Sequence, residues 1–336
     1  MAPTIRDVAS AAGVSQATVS RALSMPELVR PGTRARVEAA ARRLGYRPNR
    51  AARGLITGRT GNLGLIVPDL SNPFFASVVK GVQAAARAAD YSVFIADTDE
   101  EADAEVDLLR ALAKQVDGLI LCSPRAPDEE LAAVGSESTV VLMNRKAGDR
   151  PSVTVDNADG MRQALDHLAA LGHRRVAFVA GPRTSWSNDQ RECGLRQAAE
   201  AGGVDLVHLG YFPPQFEGGV AAADLALASG ATAVIAYNDV VALGLLSRLG
   251  ARGVPVPGGL SVVGCDDIGM SVMSQPALTT VSVPKRSAGR ATVGLLLSML
   301  GTDGESGPLH RELPTQLIVR GTTGVAPTSS TKGSSR

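Results

Sequence analysis

The 336-residue sequence is poor in cysteine, histidine and aromatic side chains: it has three cysteines and four histidines, and aromatic residues make up 3% of it. Cys122, Cys193 and Cys265 form no CxxC pair, so neither a zinc site nor a disulfide framework is indicated, and we expect buried free thiols. The histidines are scattered and form no HExxH motif. We therefore expect no bound metal and no cofactor.

Long apolar runs and catalytic motifs are missing as well. No segment approaches the roughly 20 apolar residues of a membrane-spanning helix, and no signal-peptide stretch opens the chain, so we expect a cytoplasmic protein without a membrane partner. GxSxG, GxxxxGK[ST] and GxGxxG motifs do not occur. Asp266 and Asp267 could do acid–base chemistry, which would make the protein an enzyme, but adjacent side chains usually point apart. We therefore expect that the protein is not an enzyme.

Charge is distributed unevenly along the chain. Residues 1–60 hold eleven basic and three acidic residues, a net of +8, whereas the rest holds 23 basic and 30 acidic residues, a net of −7. Arginine supplies 29 of the 34 basic residues throughout, so only its clustering is informative. A small, strongly basic segment predicts contact with a phosphate backbone. The length predicts a small domain followed by one large domain or two of middling size.

The stretch TIRDVASAAGVSQATVSRAL (residues 4–23) predicts a helix, a tight turn and a second helix. Thr4 and Asp7 have the spacing of a capping box, Gly13 ends the first helix, and Ser15 caps the second. A third helix over residues 33–44 completes a small core, whose expected members are Ile5, Val8, Ala9, Ala12, Val19, Ala22, Leu23, Val37, Ala40, Ala41 and Leu44. In a helix-turn-helix the second helix enters the major groove, and Gln16, Thr18 and Arg21 suit base edges. The alternative is an ordinary helical hairpin with a polar face.

Residues 45–62, GYRPNRAARGLITGRTGN, have a linker composition, although Asn49 can cap a short helix over 50–56 that needs a partner to persist. With the helices before it, this PNRAARGL segment resembles the LacI/GalR family of bacterial transcription repressors. The resemblance implies paired hinge helices that insert a leucine, here Leu55, into the minor groove. It implies a homodimer on a palindromic double-stranded operator, contacted by Thr4, Ser15, Gln16, Ala17, Thr18, Ser20, Arg21, Thr33, Asn49 and Leu55. The alternative is a plain tether.

From Leu63 onward, short apolar strands alternate with helices. The predicted strands are 63–67, 91–96, 118–122, 139–143, 152–155, 175–180, 204–210, 233–237 and 261–265, and the predicted helices are 74–89, 101–115, 128–134, 157–170, 189–201, 216–228 and 240–249. So many units should form two open parallel sheets facing each other across a cleft. The predicted fold class is α/β: a three-helix headpiece followed by a two-lobed core.

The resemblance covers this whole span and implies a core like that of periplasmic sugar-binding proteins. It implies a headpiece over 1–45, a hinge over 46–61 and a core over 62–324. Within the core, lobe 1 spans about 62–156 and 284–312, and lobe 2 spans about 157–283 and 313–324. Residues 325–336 are small and polar, which predicts a disordered tail.

Polar residues follow several predicted strands, where open parallel sheets bind ligands. Alignment with the family's motifs implies an effector site of Phe74 (or Phe75), Ser123, Asn144, Ser187, Arg191, Phe212, Asn238 and Asp266. Asp239 and Asp267 could instead cap helices. Trp186 falls in a predicted irregular loop and could either contact the ligand or be structural. We expect His173 to be structural.

The chain departs from a lactose-responsive family member at several positions. Asn144 replaces an aspartate, Lys285 an aromatic residue and Cys122 a polar residue, so a lactose-like galactoside is not implied, and Ala17 replaces a long amide in the recognition helix. The expected effector is a sugar or sugar derivative rather than a nucleobase, acting as inducer or corepressor. Two competing interpretations are a secreted solute-binding protein and a DNA binder with a vestigial sensor.

Overall fold

The computed structural model describes residues 3–46, 59–134, 138–301 and 309–327. The chain divides into two compact units, residues 1–62 and 63–336. The predicted hinge helix with Asn49 and Leu55, and residues 328–336 of the predicted tail, lie outside the described residues. Among the helices that are described, none is long and apolar enough to span a bilayer.

The first unit is a three-helix headpiece consisting of α1 (Ile5–Ala12), α2 (Gln16–Ser24) and α3 (Pro31–Leu44), with a 3-10 turn at Pro26–Leu28. The predicted caps are present. The Thr4 hydroxyl accepts from the Asp7 backbone N–H at 3.4 Å, and the Asp7 carboxylate accepts from the Thr4 backbone N–H at 2.8 Å. The Ser15 hydroxyl accepts from the Thr18 backbone N–H. Gly13 ends α1 with a φ of +67°, which favours glycine.

The headpiece core contains the predicted residues with one exception. Leu44 is 36% exposed and is not a core residue. Gly45 ends α3 in the left-handed conformation, and the next residue turns back so that the Tyr46 backbone N–H donates to the Ala41 carbonyl at 2.9 Å. Tyr46 therefore packs on the core at the end of α3.

The second unit alternates strands and helices. In chain order its elements are β1 (Asn62–Val67), α4 (Pro73–Ala88), β2 (Ser92–Asp97), α5 (Ala102–Ala113), β3 (Gly118–Cys122), α6 (Asp128–Val134), β4 (Val140–Met143), β5 (Ser152–Val155), α7 (Asn157–Ala170), β6 (Arg175–Ala180), α8 (Trp186–Gly202), β7 (Asp205–Tyr211), α9 (Phe216–Ala228), β8 (Ala233–Ala236), α10 (Asp239–Ala251), β9 (Ser261–Asp266), α11 (Gly269–Met273), β10 (Thr279–Ser282), α12 (Lys285–Met299), β11 (His310–Leu313) and β12 (Gln316–Ile318). The predicted strands and helices are all present, with small differences at their ends, except that α8 begins three residues early.

Two six-stranded sheets organise this unit. The first has the order β11-β5-β4-β3-β1-β2 and the second has the order β12-β10-β9-β8-β6-β7. Strands β3, β4 and β9 are buried along their whole length, as expected of parallel strands covered on both faces. Only β12 is antiparallel to its neighbour among the pairings described. The chain passes between the sheets after β5, after β10 and after β11, so the two lobes are joined by three crossings.

Helices α4 and α12 pack with their backbones in close contact. A Cβ atom on Gly81 would overlap the Arg286 carbonyl oxygen, and one on Gly289 would lie 2.7 Å from the Val78 carbonyl oxygen. Glycine is therefore required at both positions, because any side chain would push the helices apart.

Besides Leu44, three local predictions are wrong. Trp186 begins α8 instead of lying in a loop, because the Ser185 hydroxyl accepts from the Asn188 backbone N–H and caps the helix. Cys193 is exposed on α8, whereas Cys122 and Cys265 are buried free thiols as predicted. The predicted tail is held at its start, since the Ala326 backbone N–H donates to the Leu171 carbonyl at 2.9 Å.

Candidate functional site

A cavity lies between the two sheets, at the carboxyl ends of their strands. The space between its walls, counted together with the adjoining open solvent, is about 310 Å³. Both lobes supply its walls, and the lining residues are Asn72, Phe74, Phe75, Glu100, Ser123, Arg125, Asn144, Ser187, Arg191, Pro214, Tyr237, Asn238 and Asp266. The location matches the place where open parallel sheets bind ligands.

Seven of the eight predicted effector-site residues line this one cavity, and the eighth does not. Phe212 packs against the apolar core of lobe 2 formed around α9 and α10. Phe74 and Phe75 both line the cavity, with their rings edge to face and 5.0 Å apart. The sequence does not predict five further lining residues, of which Tyr237 is the last residue of a predicted strand: Asn72, Glu100, Arg125, Pro214 and Tyr237.

Backbone strain is concentrated at this cavity. Ser123 and Asn144 follow β3 and β4 and Asp266 ends β9, with φ values of +49°, +56° and +116° respectively. Residues other than glycine rarely adopt these angles, and each costs on the order of 1–3 kcal/mol. Such strain persists where the surrounding structure holds it in place, and it is common at ligand sites.

The lobe 1 wall is built around a buried arginine. Arg125 donates to both carboxylate oxygens of Glu100, at 2.6 and 3.0 Å, and its Nη1 donates to the Ser123 carbonyl at 3.0 Å. The Arg125 backbone N–H donates to Glu105 at 2.8 Å. Burial raises the pKa of Glu105, and the backbone hydrogen bonds offset part of that effect. The Ser123–Arg125 turn is thus fixed from two sides.

Arg145, which lies two residues after β4, supports this wall from behind. Its Nη1 donates to the Pro124 and Ala126 carbonyls at 2.9 and 2.8 Å, and its Nη2 contacts Asp128 at 2.5 Å. These bonds use the guanidinium to hold the turn, and Arg145 is not among the lining residues.

Arg191 is the charged centre of the lobe 2 wall. It is 3% exposed, its Nη1 donates to the Tyr237 carbonyl at 2.6 Å, and its Nη2 lies 3.6 Å from Asp266 Oδ1. Burial raises the pKa of Asp266 to about 6, against the opposing effect of Arg191 and Lys285. Lys285, at the start of α12, donates to the backbone carbonyls of Asp266 and Asp267.

Asn238 and Asp239 have separate tasks at the end of β8. Asn238 caps α10 by accepting from the Val241 N–H at 2.8 Å, and its Nδ2 donates to the Pro214 carbonyl. Asp239 is fully buried and accepts from Ile268, Ser271 and Thr280 in an arrangement that ties three elements together. Burial, and secondarily the charge of Asp266, raise the pKa of Asp239 to about 7.

The helix-cap alternative for Asp239 and Asp267 is therefore wrong. Asn238 already caps α10, and Asp267 forms an ion pair with Arg320, whose Nη2 lies 2.6 Å from Asp267 Oδ1. His173 is structural as predicted, with its two ring nitrogens 2.7 Å from the Thr232 hydroxyl and 3.1 Å from the Gly324 carbonyl.

Four buried side chains form a continuous series of hydrogen bonds from lobe 1 to lobe 2, which we call the interlobe chain: Ser123, Asn144, Asn157 and Arg191. Asn144 Nδ2 lies 3.0 Å from Ser123 Oγ, Asn157 Nδ2 lies 3.4 Å from Asn144 Oδ1, and Arg191 Nε lies 3.0 Å from Asn157 Oδ1. Asn157 begins α7, directly after the first crossing between the lobes. The sequence reasoning did not single it out, although its place two residues after a buried strand was a usable signal.

The described groups offer little support for metal binding or thiol chemistry. No set of three histidine, cysteine, aspartate or glutamate side chains within the described ranges could hold a metal ion. Burial raises the pKa of Cys122 and of Cys265 to about 12, so both thiols stay protonated at neutral pH.

On the headpiece, the predicted recognition helix presents a polar surface. Gln16, Ala17 and Arg21 are exposed, and Thr18 and Ser20 are half-buried. The Ser15 and Thr18 hydroxyl oxygens lie 2.9 Å apart. Of the predicted phosphate contacts, Thr4 is exposed but engaged in the capping box, and Thr33 is half-buried in the first turn of α3.

Comparison with known proteins finds two family models. Residues 4–49 match the model described as "Bacterial regulatory proteins, lacI family", and residues 165–323 match a periplasmic binding protein-like domain. The HTH-type transcriptional repressor CytR of Escherichia coli (strain K12) is 36% identical over 337 residues, covering 97% of this chain and 98% of CytR.

Two solved structures give similar matches in three dimensions. The Lac repressor dimer bound to operator and the anti-inducer ONPF aligns with a TM-score of 0.82 at 29% identity, covering 96% of this chain and 100% of that one. The complex of the transcriptional regulator CelR with cellobiose aligns with a TM-score of 0.71 at 32% identity, covering 95% and 99%.

Proposed function

Because the chain belongs to the LacI family of bacterial regulatory proteins, and is therefore a DNA-binding transcription regulator, we propose that it is a repressor controlled by a small sugar or sugar derivative. The observation that carries the effector half of this proposal is the interlobe cavity, where charged, amide and hydroxyl groups of both lobes converge. The helix-turn-helix carries the DNA half. We propose domain boundaries at 1–45, 46–61 and 62–324.

The headpiece is proposed to bind one half-site of a palindromic operator, with a homodimer supplying two headpieces. Gln16 and Arg21 are exposed on α2 and have the hydrogen-bonding groups to contact base edges, and Ala17 offers a methyl group for a thymine. Ser15, Thr18 and Ser20 lie beside them. Thr4, Thr33 and Asn49 are proposed phosphate contacts, and Leu55 is the proposed minor-groove residue.

The chemistry of the cavity favours a neutral molecule rich in hydroxyl groups. Glu100 is neutralised by Arg125 in lobe 1, and Asp266 lies beside Arg191 in lobe 2, so the cavity presents paired charges instead of an excess of one sign. Amides and hydroxyls fill the rest of the polar wall. A sugar hydroxyl can both donate and accept a hydrogen bond, and the Phe74 and Phe75 rings supply an apolar surface for its C–H face.

Coupling between the two sites is proposed to run through the three crossings that join the lobes. A molecule contacting both walls favours one angle between the lobes, because its bonds to one wall constrain the other. That angle would set how the lobes of a dimer pack and whether two hinge helices can pair on DNA. The effect requires different affinities of the effector for the two states, and either sign of response is compatible with it.

The DNA half is tested by selecting binding sequences from a random duplex library with the full-length protein. We expect enrichment of palindromes with half-sites related by two-fold symmetry, and binding that weakens steeply with salt. Enrichment of sequences without symmetry, or no binding at low salt, would refute the proposal.

The effector half is tested by a thermal-shift screen with monosaccharides, disaccharides, sugar phosphates, nucleosides and nucleobases. A molecule present at 100 times its Kd stabilises the folded state by about 2.7 kcal/mol, so a specific ligand raises the melting temperature measurably. A shift with a sugar that disappears in Asp266→Ala supports the proposal. A shift with a nucleobase alone would replace the proposed class.

A further inference from the structure

The direction of each hydrogen bond in the interlobe chain is fixed by the groups around Asn157. The guanidinium of Arg191 can only donate, so Asn157 must present Oδ1 to it, at 3.0 Å. The Val155 carbonyl oxygen can only accept, so Asn157 must present Nδ2 to it, at 3.2 Å. The two constraints agree, and they exclude the flipped amide.

This orientation dictates the next two bonds. Because Nδ2 of Asn157 also faces Asn144, the Asn144 amide must present Oδ1 to it, at 3.4 Å. The Asn144 Nδ2 group is then left to donate to Ser123 Oγ, at 3.0 Å. Ser123 accepts in that bond, so its own hydroxyl proton, which otherwise faces the Cys122 sulfur, is available for donation to a molecule in the cavity that Ser123 lines.

We propose that Asn157 is a positioning residue. Because Arg191 in lobe 2 can only donate to it, Asn157 is held in one amide orientation, and through Asn144 it makes Ser123 Oγ in lobe 1 a hydrogen-bond acceptor. The Ser123 hydroxyl then donates its own proton to an acceptor oxygen of the molecule in the cavity. Asn157 is not among the lining residues and acts through Asn144. The consequence for ligand choice rests on the proposed effector function. The hydrogen-bond direction itself does not, and it is testable without a ligand.

The test is a double-mutant cycle of Asn→Asp variants in the full-length protein, with the melting temperature as the measured quantity. Asn144→Asp keeps two acceptors, which can receive the Asn157 amide and the Ser123 hydroxyl. In Asn157→Asp the Asn144 amide can flip to donate to residue 157. Asn144→Asp and Asn157→Asp together place two acceptors face to face between residues 144 and 157, which neither single change does. The bond from residue 157 to the Val155 carbonyl is lost in Asn157→Asp and in the double variant alike, so it cancels in the cycle.

We expect the double variant to melt at least about 3 °C below the sum of the two single shifts at pH 7.5, a coupling of the size seen between residues in direct contact. At pH 5.0 this non-additivity should disappear, because two facing carboxylates share one proton and regain an O–H···O bond. The charged and titratable groups facing the pair are Arg191 and, beyond it, Asp266. Both are present in every variant, and because Asp266 titrates between the two pH values, the cycle is also measured in an Asp266→Asn background, where the same pattern is expected.

Asn72→Asp combined with Asn157→Asp is the matched control. Asn72 lines the same cavity and caps α4 by accepting from the Phe74 N–H at 3.0 Å, a task that aspartate performs as well. We expect additive shifts at both pH values. Additive shifts for the Asn144–Asn157 pair, or equal non-additivity in the control pair, would overturn the proposal.

A second measurement decides the matter if the double variant does not fold. In Asn157→Leu, the Arg191 Nε–H loses its acceptor, and its hydrogen exchange followed by ¹⁵N NMR should be at least about tenfold faster than in the wild type. Unchanged exchange would contradict the assigned bond. Neither measurement uses a ligand, so failure of this inference is distinct from failure of the sugar screen.

Discussion

Replacing Asp266 by asparagine should stabilise the protein at alkaline pH while removing its response to effector. Asp266 is 4% exposed, and burial raises its pKa to about 6, from about 3.9 in an unfolded chain. Proton uptake by this carboxyl therefore favours the folded state, a contribution that is fully present below about pH 4 and is lost as the pH rises through 6. At pH 8 the ionised group costs about 3 kcal/mol at most.

Asparagine resembles the protonated carboxyl, so Asp266→Asn avoids that cost. We expect a melting temperature about 5 °C higher than the wild type at pH 8 and within about 1 °C of it at pH 4, measured by scanning calorimetry. The exposed Asp149→Asn is the control, and its shift should be small at both pH values. A lower melting temperature for Asp266→Asn at pH 8, or a difference independent of pH, would contradict the reasoning.

Three further predictions address DNA contact, the hinge and helix packing. Leu55→Gly should weaken binding to the selected operator while leaving binding of the sugar from the screen intact; unchanged operator affinity in a fluorescence anisotropy titration would remove Leu55 from the interface. Arg21→Ala should cost about 1–3 kcal/mol of operator binding and relax base preference at one position, seen by repeating the sequence selection, whereas a uniform loss across sequences would indicate a phosphate contact instead. In α10, Gly244→Ala should lower the melting temperature, because its Cβ would overlap the Phe216 carbonyl oxygen, while Gly250→Ala has open space and should gain up to about 1 kcal/mol from helix propensity; equal effects would contradict the described packing.

Local signals predicted most of the fold. The sequence predicts the helix caps at Thr4 and Ser15 and the buried strands β3 and β9. It can do so because a helix end or a strand is specified by a few adjacent residues. The start of α8 was missed because Ser185 precedes a polar segment with weak apolar periodicity, although serine is a good cap. Leu44 was misplaced because the turn after Gly45 brings Tyr46 to the core instead.

The candidate site was less predictable where its residues depend on distant partners. Arg125 can be buried in the wall because Glu100, 25 residues earlier, neutralises its charge. No pattern among neighbouring residues predicts that ion pair. Asn157 was passed over for the same reason, since its partners Asn144 and Arg191 are remote in sequence. Phe212 was expected in the cavity on family alignment alone, and the position of its ring depends on how the loop before α9 packs.

The glycine contacts between α4 and α12 have a mechanical consequence for the lobe that contains them. Helix α4 begins at the cavity, with Phe74 and Phe75 in its wall, whereas α12 begins beside the middle of α4, at Lys285, whose ammonium group holds the backbone turn after β9. Because their backbones interlock, the two helices cannot slide past each other. We therefore expect a displacement of Phe74 and Phe75 to carry α12 along with α4, because backbones in direct contact leave little room for side-chain rearrangement to absorb the movement.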